Sequence, residues 1–517
     1  MGRNRRRRLY GLVHSPPRKS MIPFSIDKVV IGEQPRNSLL RRRAAPRRAK
    51  NAAILAFAVA VAVAPLRAQY DKVAALGSDS SLTPIGGPAS SPPLAVDRYD
   101  LPDFRPTGKL NDGLPQWLKF GLDERFRFEG FSGGSKPSHD SYFLNRLRLG
   151  MLLQPAAWFK VVAQVQDARS FLETAPVGPP NNTRWDLKLA YAQFGDAERQ
   201  PISVTIGRQL IDYNNTIIGN SEWRNQARSY DGVTANVRVD RVRVAAFAAS
   251  VVIPSLDGLS HHQEGNNIYG AYGWITRVLP KSSVEPFVLW RVAPSVPVEA
   301  SSAKSGRLDE QAYGLRVRGT RVANFDYRGE LVLERGRAGP NSIGAWAATA
   351  ALGYTLRALS WKPRFFTGYD YASGDKNPTD GMRGTFDSMY PTAHDRFGIS
   401  DQFGWQNIVA WRVGATVIPH RRWSVTAQYI DLWLAAAADG VYNSSGGLIF
   451  RDATARSGRH VGNELDTYSW YEINRQLHIG AGIGRLFPGE FMAKAGKNTP
   501  YTYPYLVLEM LDGKRVR

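Results

Sequence analysis

The chain has 517 residues, a formal charge of +22, no cysteine, 48 Gly, 13 Trp, 22 Tyr and 22 Phe. The lack of cysteine excludes a disulfide framework, a thiolate metal centre and a Cys nucleophile. Residues 1–68 hold 16 Lys+Arg against 2 Asp+Glu, so the remainder carries 51 against 43 and the basic balance is weak support for nucleic-acid binding.

The first recognisable element is the apolar run Ala52 to Pro65, preceded by Arg41, Arg42, Arg43, Arg47, Arg48 and Lys50. This is the layout of a secretory signal peptide, with cleavage expected near Ala68-Gln69. A retained anchor is the other reading, but the run falls short of the about 20 apolar residues a membrane helix needs. Residues 1–20 read as an extension ahead of a start at Met21. Beyond residue 68 no apolar run reaches about 18 residues, which leaves a soluble periplasmic protein or a β-barrel. Residues 77–100 are rich in Ser, Pro and Gly and read as a flexible linker. The expected organisation is a leader over 1–68, a periplasmic linker over 69–109 and one folded domain over 110–517.

Within that domain the sequence alternates with period two. Phe120, Leu122, Phe126 and Phe128 share one face against Asp123, Arg125 and Arg127. The same pattern recurs over Asn145–Leu152, Gly232–Asp240, Tyr313–Arg318 and Phe325–Leu333. Such alternation means strands with one apolar and one polar face. Trp158, Trp223, Trp274, Trp361, Trp411 and Trp423 fall near segment ends, as interfacial girdles require. Tight turns are expected at Pro155-Ala156-Ala157 and Asp240-Arg241, and long loops at 172–184, 254–267, 295–310, 372–398 and 436–460. Short turns on one side and long loops on the other fit a transmembrane antiparallel β-barrel of 16–20 strands, at roughly 20–25 residues per strand and connection.

In such a barrel the polar faces line the lumen. Arg125, Arg127, Arg146, Arg148, Lys160, Lys188, Arg238, Arg243, Arg316, Arg318, Arg328, Arg364 and Arg412 lie opposite the apolar faces. Arginine suits passage of an anion because its planar fork pairs with carboxylates and stays charged. The competing reading is that these arginines pair with Asp123, Glu129, Asp326, Glu330, Glu464 and Asp466 to stiffen the interior.

Several segments match a known family in order along the chain: Asp140–Leu149, Gln164–Arg169, Ile206–Asp231, Ser373–Trp411, Val461–Asp466, Leu486–Phe491 and Tyr501–Leu506. On these the chain resembles the alginate export family of outer-membrane porins. The resemblance implies an 18-stranded barrel, an Arg-rich lumen, acidic polysaccharide such as alginate as cargo, and no cofactor. It adds Asp167, Arg169 and Arg208 to the lumen candidates, although Arg208 shares parity with Val204 and Ile206 and would face inward only through a bulge. Barrels of this kind commonly end on an aromatic residue; here Asp512–Arg517 trails the last strand at Tyr505–Leu511.

Three rival chemistries are weak. Ser373–Asp380 mixes carboxylates, Asn and Gly but lacks calcium-loop spacing, so a surface loop or lumen constriction is favoured. His261-His262 lacks the ligands of a metal site. Ser469 and His478 lie on adjacent expected strands, but no Gly-x-Ser-x-Gly or His-Glu-x-x-His motif occurs, so no enzyme is expected. The expected partners are outer-membrane lipid, the barrel-insertion machinery, anionic poly- or oligosaccharide or small anions, and a periplasmic export partner. The alternative function is a substrate-selective uptake porin for small anions or sugars.

Overall fold

The computed structural model describes residues 106–512, apart from 135–138, 175–180, 198, 214–215, 257, 280, 300–303 and 393. The expected leader, most of the expected linker and residues 513–517 lie outside the described residues. A short helix α1 (Gly108–Asp112) precedes the strands β1 (Leu118–Ser132), β2 (His139–Ala156), β3 (Phe159–Phe171), β4 (Thr183–Phe194), β5 (Ile202–Gln209), β6 (Tyr230–Val239), β7 (Val242–Ile253), β8 (His261–Thr276) and β9 (Ser282–Pro297). The series continues with β10 (Ser305–Val322), β11 (Phe325–Ala338), β12 (Asn341–Thr355), β13 (Arg364–Ala372), the two-residue β14 (Met382–Arg383), β15 (Ile408–His420) and β16 (Trp423–Leu434). It ends with a small hairpin β17 (Gly440–Tyr442) and β18 (Leu448–Arg451), then β19 (His460–Glu472), β20 (Leu477–Pro488), helix α2 (Glu490–Lys494) and β21 (Tyr501–Leu511).

Eighteen of these strands form a closed antiparallel barrel, because β21 pairs back onto β1 through Asp123–Leu511 to Ser132–Thr502. Closure satisfies every ladder donor and acceptor without a free edge, which is what a strand structure in lipid requires. The alternation of the sequence becomes the two faces of this wall. Phe126, Leu149, Ile206, Val233, Leu315 and Leu331 are exposed on the outside. Asp123, Arg125, Arg127, Glu129, Arg146 and Arg148 are buried on the inside.

The connections divide into two sets. On the side of the chain termini they are short: Ala157-Trp158, Asp240-Arg241, Ala323-Asn324 and Arg421-Arg422. Asp240, Ala323 and Asn324 take positive φ there, the geometry of tight hairpin turns. The expected Pro155-Ala156-Ala157 turn is shifted, since β2 runs through Ala156. On the opposite side, 210–229, 373–407 and 435–459 are long. The expected loops at 254–267 and 295–310 are shorter than foreseen, because β8 starts at His261, β9 runs to Pro297 and β10 starts at Ser305. Segment 210–229 carries no alternation signal and was not among the expected long loops.

Trp158, Trp361, Trp411 and Trp423 are exposed as girdle residues should be. Trp223 and Trp274 are not. Trp223 is buried in the 210–229 loop, and Trp274 packs against Tyr213 and Tyr272 with Arg243 stacked on its ring. At the barrel seam, Asp512 accepts hydrogen bonds from the Thr107 amide (2.9 Å) and hydroxyl (2.5 Å), joining the start and end of the described chain.

Candidate functional site: the lumen and its two inserted loops

The two long loops 210–229 and 373–407 fold into the barrel and pair with each other. The Gly219 amide donates to the Tyr390 carbonyl (2.9 Å) and the Tyr390 amide to the Ile217 carbonyl (3.0 Å). Arg228 ties the same junction by donating to the Gly219 (2.6 Å) and Tyr390 (2.7 Å) carbonyls. Trp223 stacks on His394 at 4.0 Å and 5°. His394 in turn bonds Asp401 at 2.7 Å.

The basic ladder of β1–β4 holds the first loop. Arg125 donates to the carbonyls of Glu222, Trp223 and Arg224 at 2.9–3.1 Å. Arg127 donates to the Trp223 carbonyl, lies 4.1 Å over the Trp223 ring and pairs with Glu129 at 2.6 Å. Arg146 and Arg148 share the Glu222 carboxylate at 3.2 and 2.9 Å. Lys188 donates to the carbonyls of Ala227 (2.5 Å) and Arg228 (2.9 Å). It sits at a bulge in β4 that turns both Lys188 and Leu189 inward. Five of the sequence-derived candidates therefore clamp a loop. The loop residue that three of them share, Glu222, was not foreseen, since a carboxylate in a polar stretch has no periodicity to mark it.

Glu464 and Asp466 anchor the second loop rather than pairing with arginine side chains. Glu464 accepts from the Ser400 amide (3.0 Å) and hydroxyl (2.5 Å), and Asp466 accepts from the Ile399 amide (3.2 Å) and Gln428 (2.8 Å). Gly398 has φ +107, and a Cβ there would fall on the Glu464 carboxyl, so the close approach of loop to wall needs glycine. Farther along, Asp387 pairs with Arg291 (2.9 Å) and Arg383 (3.4 Å). Burial acts to raise the Asp387 carboxyl, but these two guanidinium groups outweigh it and hold it below the usual carboxylate range.

The wall of β10–β15 is different. Arg316 lies 4.0 Å from both Glu285 and Glu330, Arg318 pairs with Glu285 (2.7 Å) and Arg364 with Asp326 (2.7 Å). Arg396 of the second loop pairs with Asp370 (2.7 Å), and Arg412 donates to the Asp395 and Arg396 carbonyls. Arg328 has no hydrogen bond or ion pair among the described residues, and its Nε is buried without a partner. With Arg412 it lines a pocket whose walls are Thr349, Ala351, Phe366, Gly368 and Asp370. The small residues leave the space, and the guanidinium groups outnumber the carboxylates around it.

The remaining candidates divide by face. Lys160, Arg238 and Arg243 have inward parity near the short-turn end, with Arg243 bonded to Asn236 (3.1 Å). Asp167, Arg169 and Arg208 are corrected. Asp167 and Arg169 stand opposite Leu147 and Asn145 on the outward parity of β2 and pair with each other at 2.7 Å. Arg208 keeps the outward parity of Ile202 and Ile206, pairs with Asp231 (2.7 Å) and caps the Leu187 carbonyl (3.0 Å) beside the β4 bulge. The bulge lies in the neighbouring strand, so it does not turn Arg208 inward.

The rival chemistries do not assemble. Ser469 is bonded to the Trp423 indole on the outside, whereas His478 is buried opposite Glu472 inside. His262 bonds Asp231 at 3.2 Å and His261 pairs in register with Ile253 at the rim, and among the described residues no group of three or more His, Cys, Asp or Glu could hold a metal. In the Ser373 segment, the Ser373 hydroxyl donates to the Gly384 carbonyl (2.8 Å) and Asp375 accepts from the Asn377 amide (3.0 Å), an internally bonded loop.

Similar proteins agree with this architecture. No curated protein matches the chain. Among solved structures, OpdK from Pseudomonas aeruginosa aligns at 12% identity with a TM-score of 0.52, covering 76% of this chain and 98% of its own. OccK5 (OpdH) from the same organism aligns at 9% identity and TM-score 0.51, covering 77% of this chain and 99% of that one. These likenesses establish the fold, that of outer-membrane porins. The alginate export family profile matches residues 116–503, from before the first strand into the last. The match covers most of the chain, which belongs to the alginate export family of outer-membrane barrels.

Proposed function

We propose that this outer-membrane channel passes anionic solutes along the β10–β15 side of its lumen, with an acidic polysaccharide of the alginate type as the cargo class. The observation that carries the reading is Arg328, a lumen guanidinium with no hydrogen bond or close ion pair among the described residues, lining a small pocket with Arg412, Asp370 and small residues. A pore needs cationic contacts that are favourable enough to admit an anion and weak enough to release it. A partly free guanidinium meets this better than one locked by several carbonyls. The family name points to a uronate polymer, whose carboxylates suit the planar fork of arginine.

A second reading is uptake of small carboxylates. Two loops folded into the lumen narrow the path, and a structure of the same fold, OpdK from Pseudomonas aeruginosa, was solved with vanillate, an aromatic carboxylate. Export of the chain itself through the apolar leader, with cleavage near Ala68-Gln69, belongs to the same proposal, as does delivery of cargo by a periplasmic partner.

The test is the reversal potential of the refolded barrel in a planar bilayer under a salt gradient, with and without polyuronate. Anion selectivity with polyuronate block supports the polymer reading. Anion selectivity without block selects the small-carboxylate reading. A cation-selective barrel overturns both.

A further inference from the structure

Between β11 and β12 the outer-side connection is only Gly339-Pro340, with Gly339 at φ +58. The β11–β12 ladder runs up to this turn, through Ala338–Asn341, and the outward face of β10 and β11 beside it is exposed. Three arginines are exposed there: Arg307, Arg335 and Arg337. Their parity is that of the lipid-facing Tyr313, Leu315, Leu331 and Leu333, while Leu308, Glu310, Glu334 and Ala338 between them are buried inward.

The strand register fixes their height. Tyr313, Leu333 and Trp346 stand in one row across β10, β11 and β12, all exposed. Arg335 is opposite Gln311 and Gly344 in the next outward-facing row, and Arg337 is opposite Asp309 and Ser342 in the row after. The arginines thus lie just beyond an aromatic and aliphatic belt on its long-loop side, where lipid headgroups meet a barrel. Among the described residues, the Arg335 guanidinium bonds the Glu334 (2.6 Å) and Ala345 (3.4 Å) carbonyls and that of Arg337 the Pro340 carbonyl (2.9 Å). Asp309, the nearest carboxylate by register, accepts instead from the Trp290 indole (2.8 Å) and Gln311 (2.6 Å).

We propose that Arg307, Arg335 and Arg337 form a docking site for the phosphorylated headgroup of an outer-leaflet glycolipid, its acyl chains lying against Tyr313, Leu333 and Trp346. The charge is complementary to phosphate, and guanidinium forks pair with phosphate oxygens at two points. The apolar row beneath the arginines favours a lipid over a free anion, since one molecule then meets both surfaces. This site faces away from the lumen and is independent of the cargo.

The test uses the folded full-length barrel in detergent, with native mass spectrometry counting bound diphosphoryl lipid A, its dephosphorylated form, or inorganic phosphate. The variants are R335Q/R337Q and the control R357Q, an exposed arginine on the short-turn side. Heat-modifiable gel mobility verifies that each is folded. The site predicts binding of diphosphoryl lipid A, a loss of about tenfold or more in affinity in R335Q/R337Q, and no change in R357Q. Equal binding by the folded double variant, equal binding of the dephosphorylated lipid, or displacement of the lipid by an equal concentration of inorganic phosphate would overturn it.

Discussion

The two sides of the lumen wall use the same residue type for opposite purposes. On β1–β4, Arg125, Arg127, Arg146 and Arg148 spend their donors on Glu222 and on the carbonyls of an inserted loop. On β10–β15, Arg328 lines a small pocket with Arg412 and Asp370, while its neighbours Arg316, Arg318 and Arg364 pair with carboxylates of the wall. An arginine that faces a lumen is therefore not by itself a cargo contact. What separates Arg328 from the clamped arginines, and from Arg412 on its own side, is that no loop carbonyl or carboxylate bonds it among the described residues. Under the proposed function, the clamped side holds the inserted loop and the other side supplies the charge that meets an anion.

The strongest way to break this comparison is to unlock the clamped side. Glu222→Ala removes the carboxylate shared by Arg146 and Arg148, leaving Arg146 on the residue-222 carbonyl and Arg148 on the Gln166 side chain, without a charged acceptor there. Because Glu222 is itself partly exposed, the expected loss is about 2 kcal/mol rather than the larger cost of a fully buried pair. Thermal unfolding should show the loss, and bilayer recordings should show a larger and noisier conductance as loop 210–229 loosens. An unchanged conductance would mean that the loop does not obstruct the path.

Gly398→Ala acts on the second loop. The new methyl group would fall on the Glu464 carboxyl, and positive φ adds backbone strain of roughly 1 kcal/mol or more. Faster proteolysis within 373–407, with the barrel still heat-modifiable, is the expected result. Wild-type protease resistance would show that Ser400 and Ile399 are not the anchor.

A smaller effect concerns the rim above the open wall. Burial pushes the Glu299 carboxyl up to about 8, a hydrogen bond with Asp375 adds to this, and the Asn341 amide opposes it. The folded form then holds a proton that the unfolded form releases near 4.5. Stability from this group is full below about pH 4.5 and is lost as pH rises through about 8. Protection of the neighbouring loop from protease should decline between pH 5 and 9, and Glu299→Gln should flatten that decline. A decline of the same size in Glu299→Gln would assign the dependence to other groups.

The wall was legible in the sequence because a strand between lipid and lumen imposes period two on its side chains. Arg125, Arg146, Arg316 and Arg328 were placed inward by parity alone, and the structure keeps them there. Asp167, Arg169 and Arg208 entered through family resemblance against or without parity, and they face outward. The lumen contents were not legible. Loops 210–229 and 373–407 are polar and irregular, and such sequence looks the same in solvent as inside a barrel lined with donors. Glu222 and Trp223 acquire their roles only when the chain doubles back across strands that lie far away in sequence. The Lys188 bulge was hidden for a related reason, since it depends on how β3 and β4 register.

The central claim is that free positive charge on the β10–β15 side sets the selectivity of the channel. The most direct measurement is the reversal potential of Arg328→Gln beside that of the unaltered barrel, in a planar bilayer under the same salt gradient. A shift of the potential toward cation permeability, with conductance retained, is the predicted result. An Arg328→Gln barrel with unaltered anion preference would contradict the account and return the selectivity to the clamped ladder.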